Sequence, residues 1–204
     1  MNETDAGAVI VRYIDELEAA LRYVHSSMQP RIGRAIADLL HHAKNAQRWA
    51  GEIDSDLDGG NWLAPQEWRT SNDTNDRFDL YFEFDKTDCM DGMPTETWIA
   101  ALCGFAESRA RFVFGTNAIG QRDWKAILRT ETQTIDELVA SGFSCNPKTG
   151  ELSALILIDR EKLASAFAED DFELALDPIK RALERIMSCR NTLNKLVAII
   201  RKKS

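Results

Sequence analysis

Apolar positions near the start of the chain fall at Ile10, Ile14, Leu17, Leu21, Val24 and Met28, spaced 4, 3, 4, 3, 4. This is the stripe of an amphipathic helix and predicts one over Ala8 to Met28. Pro30 is expected to close it. Ile32, Ile36, Leu39, Ala43, Ala46 and Ala50 then repeat the spacing, with Gly51 as a C-terminal stop. Residues 1–51 are therefore expected to form an antiparallel helical hairpin. From Asn61 the period shortens to two. Trp62 to Trp68 reads as a first strand that Pro65 confines to an edge. In Phe78 to Asp85, Phe78, Leu80, Phe82 and Phe84 alternate with Asp79, Tyr81, Glu83 and Asp85, which predicts a strand with an aromatic inner face and an acidic outer one. Thr97 to Phe105, apolar on both faces, reads as a central strand. Arg109 to Phe114 alternates again, and the short turn between these two suggests a hairpin.

The remaining chain returns to mixed patterning. Residues 121–141 carry a helical stripe through Trp124, Ile127, Leu128, Ile135 and Leu138. Phe143 to Cys145 and Leu152 to Ile158 flank a Pro- and Gly-containing turn and predict two antiparallel strands. A short helix is expected from Arg160 to Phe167. Asp177 and Pro178 start another, whose stripe Ile179, Leu183, Ile186, Arg190, Leu193, Val197 and Ile200 predicts one long C-terminal helix over 177–203. The reading is a single α+β domain over 1–204, with an antiparallel sheet of about four to six strands packed against the N-terminal hairpin and the C-terminal helix. Its parts are 1–51, a β-meander at 61–116, a mixed region at 121–168, and 177–203. The shared 3-4 seam packs the helices over one sheet face; the alternative use of that seam is a homodimer.

Composition adds bounds. A chain of 204 residues with 44% hydrophobic and 28% charged residues is long enough to bury a sizeable core without disulfides or a structural metal. The four cysteines, at 89, 103, 145 and 189, show no paired metal-ligand spacing, so free thiols in a reducing cytoplasm are expected. There is no apolar run of membrane-spanning length and no secretory leader pattern at the start.

Charge changes the picture more. Of the 33 acidic residues, 13 lie between Glu52 and Glu96, where only 3 of the 25 lysines and arginines are found. Such a region repels phosphate, so direct nucleic-acid binding through it is not expected, and a protein partner with a basic surface suits it. Asp79, Glu83, Asp85, Asp88 and Asp91 are the expected partner-binding residues. Evenly spaced carboxylates would also suit a nucleic-acid mimic or inhibitor.

Three local patterns offer chemistry. Asp54, Asp56 and Asp58, followed by Gly59, are similar to the first half of an EF-hand loop, and Ca²⁺ is the cation that resemblance implies; Pro65 stands where the bidentate glutamate would be. Arg34 and His41 resemble the Rx4-6H motif of HEPN ribonucleases, an all-helical family in which these residues act on the RNA backbone. Here Ala35 follows the arginine. Asp38, His41 and His42 lie within one helical turn, as metal ligands do. Glu83 to Lys86 lacks the acid-x-lysine triplet of PD-(D/E)XK nucleases, and Arg109 and Arg111 are placed to oppose its acids across strands. The expectation is a non-enzymatic cytoplasmic interaction or regulatory protein. Its competitor is a small metal-dependent or ribonuclease-like enzyme built on Arg34 and His41.

Overall fold

The structure is a computed structural model that describes residues 3–69, 78–89, 92, 93 and 95–204. Its helical start comprises α1 (Glu3–Arg12), α2 (Ile14–Tyr23), a π-helical turn (Val24–Met28) and α3 (Gln29–Gln47). Strands β1 (Ala50–Glu52), β2 (Trp62–Ala64) and β3 (Leu80–Lys86) follow, then α4 (Trp98–Leu102), β4 (Ala110–Thr116), α5 (Gln121–Thr130) and α6 (Thr132–Ala140). The chain ends with β5 (Ser144–Asn146), β6 (Glu151–Ile156), α7 (Arg160–Glu169), α8 (Asp177–Ser188) and α9 (Arg190–Arg201). The six strands form one antiparallel sheet in the order β1-β2-β3-β4-β6-β5, so the α+β class is as expected.

Period-two patterning explains the sheet's inner face. Leu80, Phe82 and Phe84 of β3 lie beside Ala110, Phe112 and Phe114 of β4 and Leu152, Ala154 and Ile156 of β6, all buried. Aromatic rings fill this layer: Phe82 meets Phe114 edge-on at 5.5 Å between centroids, and Phe84 stacks on Trp98 at 5.1 Å. Each such side chain stabilises the fold by about 1.5–3 kcal/mol relative to exposure. The buried faces of α3, α5, α6, α8 and α9 join the same core.

Several details depart from the sequence reading. The chain does not turn at Pro30. Proline at the start of a helical segment costs little when its missing N–H is not needed, and here the π turn hands the backbone directly to α3 with helical dihedrals at Met28 and Gln29. In place of a hairpin, α2 passes through the π turn into α3 without reversing, and α1 precedes it across a break at Tyr13, whose dihedrals (φ −113°, ψ 24°) are not helical. Every residue from Gly7 to Tyr23 is exposed, whereas Ile32, Ile36 and Leu40 of α3 are fully buried. Gly51 is not the stop: Arg48, in the left-handed region at φ 53°, caps α3, and Gly51 sits in β1.

Thr97–Phe105 is not a central strand. Thr97 accepts a hydrogen bond from the Ala100 N–H and caps α4, whose buried Trp98, Ala101 and Leu102 follow helical spacing. β4 consequently pairs with β3. The C-terminal stripe is carried by two helices bent at Cys189.

Candidate interaction face

Residues that alternate with the inner aromatics of β3 share the opposite face of the sheet. Cross-strand register places Glu52 beside Trp62, Trp62 beside Glu83, and Glu83 beside Val113. One residue pair along, Asp85 stands opposite Arg111, which stands opposite Leu155. Trp62 is half-buried and packs against Phe78 at 5.5 Å and Tyr81 at 6.2 Å between ring centroids. The result is an aromatic patch with Glu52 on one side and Glu83 on the other.

Arg111 organises the centre of this face. Its Nη2 and Nε donate to Asp85 Oδ2 at 2.8 and 3.2 Å, and its Nη1 lies 2.6 Å from Glu151 Oε2. Burial works against the guanidinium charge, but these two carboxylates outweigh it and leave the Arg111 pKa raised. Glu151 also accepts a hydrogen bond from the buried Ser153 hydroxyl at 2.9 Å. Asp85 is thus neutralised within the chain. Glu83 is not: desolvation first, and the neighbouring Asp85 charge second, push its carboxyl above the usual range despite Arg111.

Of the residues expected to contact a partner, Asp79 and Glu83 lie half-buried along β3 and its approach, and Asp88 is exposed just past the strand's end. Asp85 belongs to the Arg111 pair, and Asp91 lies outside the described residues. Arg109 does not oppose the acids; its Nη1 donates to the Ser108 carbonyl at 2.8 Å. Glu52, Trp62 and Glu151 were not singled out from sequence, because strand register is not visible in one strand's alternation.

The acidic loop has local work to do. Asp54 Oδ1 accepts from the Asp56 N–H at 2.8 Å, Asp56 Oδ1 accepts from the Asp58 N–H at 3.1 Å, and Asp58 Oδ1 accepts from Trp98 Nε1 at 2.8 Å while pairing with Lys86 at 3.3 Å. Asn61, fully inside, bridges the loop's ends. Asp54 and Asp56 thus act as successive turn acceptors while Asp58 ties the loop to α4 and β3, and among the described residues no group of three or more His, Cys, Asp or Glu is placed to hold a metal.

On α3, Arg34 and His41 are both exposed, and Arg34 Nε donates to the Pro30 carbonyl at 3.2 Å. The sheet around which α3 packs also differs from the all-helical architecture that the HEPN resemblance implies. Asp38 and His42, within a turn of them, line the edge of a groove of about 710 Å³ between α3 and α8 floored by Leu39, Leu176, Leu183 and Met187. All four cysteines are free thiols; burial raises the pKa of Cys103 and Cys145. No helix among the described residues is long and apolar enough to cross a membrane. No protein-family model, curated protein or solved structure matches this chain.

Proposed function

We propose that this chain is a non-enzymatic cytoplasmic interaction protein that binds a basic segment of another protein on the open face of its sheet, over Trp62, Tyr81 and Glu83. The observation that carries the reading is the charge left over after internal pairing. Among the described residues, Asp58 and Asp85 are engaged in ion pairs, while no ion pair involves Glu52, Asp54, Asp56, Glu83, Asp88 or Glu96. A lysine or arginine laid on the Trp62 and Tyr81 rings would gain a cation–π contact and place its charge against Glu83 or Glu52. Desolvation of Glu83 supports the same reading, since a carboxylate partly removed from water attracts an incoming cation more strongly. Partner chemistry of this kind gives specificity and fast association more than raw affinity.

Titration with short arginine-rich peptides, followed through tryptophan fluorescence, tests the proposal. Binding should weaken about tenfold in Glu83→Gln and in Trp62→Ala, and should weaken with added salt. Equal affinity in wild type and both variants would overturn it. Preferential binding of a folded nucleic-acid-binding domain over the peptides would turn the reading toward a nucleic-acid mimic.

A further inference from the structure

Helices α1 and α2, which meet at Tyr13, carry their apolar stripe in water. Ile10, Tyr13, Ile14, Leu17 and Leu21 are 50, 51, 44, 49 and 40% exposed, and no residue from Gly7 to Tyr23 is buried. The side chains of this stripe leave on the order of 450 Å² accessible in one strip, the size of the largest apolar patch on a typical monomer and one that often marks an interaction site.

We infer that two copies of this chain associate through α1 and α2, packed antiparallel about a twofold axis between Ile14 and Leu17. The sequence of the stripe is self-complementary in that arrangement. Ile10 of one copy meets Leu21 of the other and Ile14 meets Leu17, so each of the four layers joins a β-branched side chain to a leucine, in the mixed layers that antiparallel pairs form. Beside the seam, the large Tyr13 of one helix lies over the small Ala20 of the other. A parallel pair would set identical residues against each other and oppose no large residue with a small one.

Length and charge agree with this geometry. The uncovered stretch Gly7–Tyr23 is centred near residue 15, the same point as the layers, so full overlap of the two stretches brings each N-terminal end to the Val24–Met28 turn where the partner's body begins. The two bodies then stand at opposite ends of the pair. For copies that each carry a net charge of −8, this separation avoids the repulsion that side-by-side bodies in a parallel pair would meet. Opposed helix dipoles add a smaller favourable term.

Sedimentation equilibrium of the full chain should give a concentration-dependent mass that rises toward twice that of one chain. Ile14→Asp and Leu17→Asp should each give a monomer at every concentration, with the thermal transition of the body unchanged because neither side chain touches it. Orientation is read from Ile10→Cys/Leu21→Cys under mild oxidation: peptide mapping should recover a bond between position 10 and position 21 of different chains. A wild-type monomer at high micromolar concentration, including one that instead binds lipid vesicles, would overturn the inference. So would a dimer that survives both aspartate variants, or a cross-link joining position 10 to position 10.

Discussion

Trp49 and Trp68 are both buried, yet only Trp68 finds a partner for its indole N–H, which donates to Asn194 Oδ1 at 2.7 Å and ties the segment after β2 to α9. Trp49 Nε1 is buried with no hydrogen-bond partner. An unsatisfied buried donor costs about 1–3 kcal/mol, so removing it offsets much of the packing lost in a Trp→Phe change. Trp49→Phe is accordingly expected to be nearly neutral, and Trp68→Phe to destabilise by about 1–2 kcal/mol more, as measured by urea denaturation. Glu83 gives a second residue-level expectation, in which pH sets the sign. Its carboxyl binds a proton more tightly in the fold than in the unfolded chain, where the ordinary value is about 4.5. Its contribution is therefore complete below that value and is lost as pH rises through the folded one. Glu83→Gln should raise the melting temperature at pH 7 relative to wild type and leave it nearly unchanged at pH 4. The gain should not exceed about 0.5 kcal/mol, since the group is only half-buried and solvent screens its charge.

At the scale of elements, the close approach of α3 to the acidic loop rests on Gly33. A Cβ there would collide with the Ser55 carbonyl, so the loop can lie against the helix only because that position has no side chain. In an ordinary helix interior Gly→Ala stabilises by about 1 kcal/mol. Here Gly33→Ala is expected to destabilise by about 1–3 kcal/mol and to shift the fluorescence of Trp98, whose indole is held by Asp58 in that loop; calorimetry and emission spectra check both. Elements with a clean period were legible in the sequence: β3, β4, the β5–β6 pair and α8 occur where their patterns place them, while the single stripe over 121–141 is divided at Glu131 into α5 and α6. The failures share a physical cause. Apolar residues on both faces of 98–102 suit either a central strand or a buried short helix, and Thr97 capping, with a hydrogen bond to Ala100, decided for the helix. A proline two residues into a helical segment suits a start as well as a stop, and the π turn that carries the chain past it has no sequence signature comparable to a cap. For the site, alternation assigned Glu83 and Asp85 to one face, but the pairing of Asp85 with Arg111 and the seat of Trp62 beside Glu83 depend on register between strands far apart in sequence.

Across the described molecule, the hydrophobic pattern and the body disagree about residues 7–23. The 4-3 stripe of α1 and α2 matches that of helices that do pack, such as α8 and α9, so a sequence reading naturally folds it onto the body. The unbroken passage of α2 through the π turn into α3 prevents this. Chain connectivity through the π turn leaves the stripe uncovered by the rest of the chain, and the inferred pairing of two copies would bury it. Stability should be graded accordingly, because amides open locally where few apolar contacts hold them. In hydrogen exchange on the monomeric Leu17→Asp variant, amides of β3, β4 and β6 should exchange most slowly, those of α3 next, and those of α1 and α2 within the fastest phase. In the wild type at high concentration, α1 and α2 alone should gain protection while the sheet is unchanged. Uniform protection from residue 7 to residue 47 in the variant would mean that α1 and α2 are held by the body rather than by a partner.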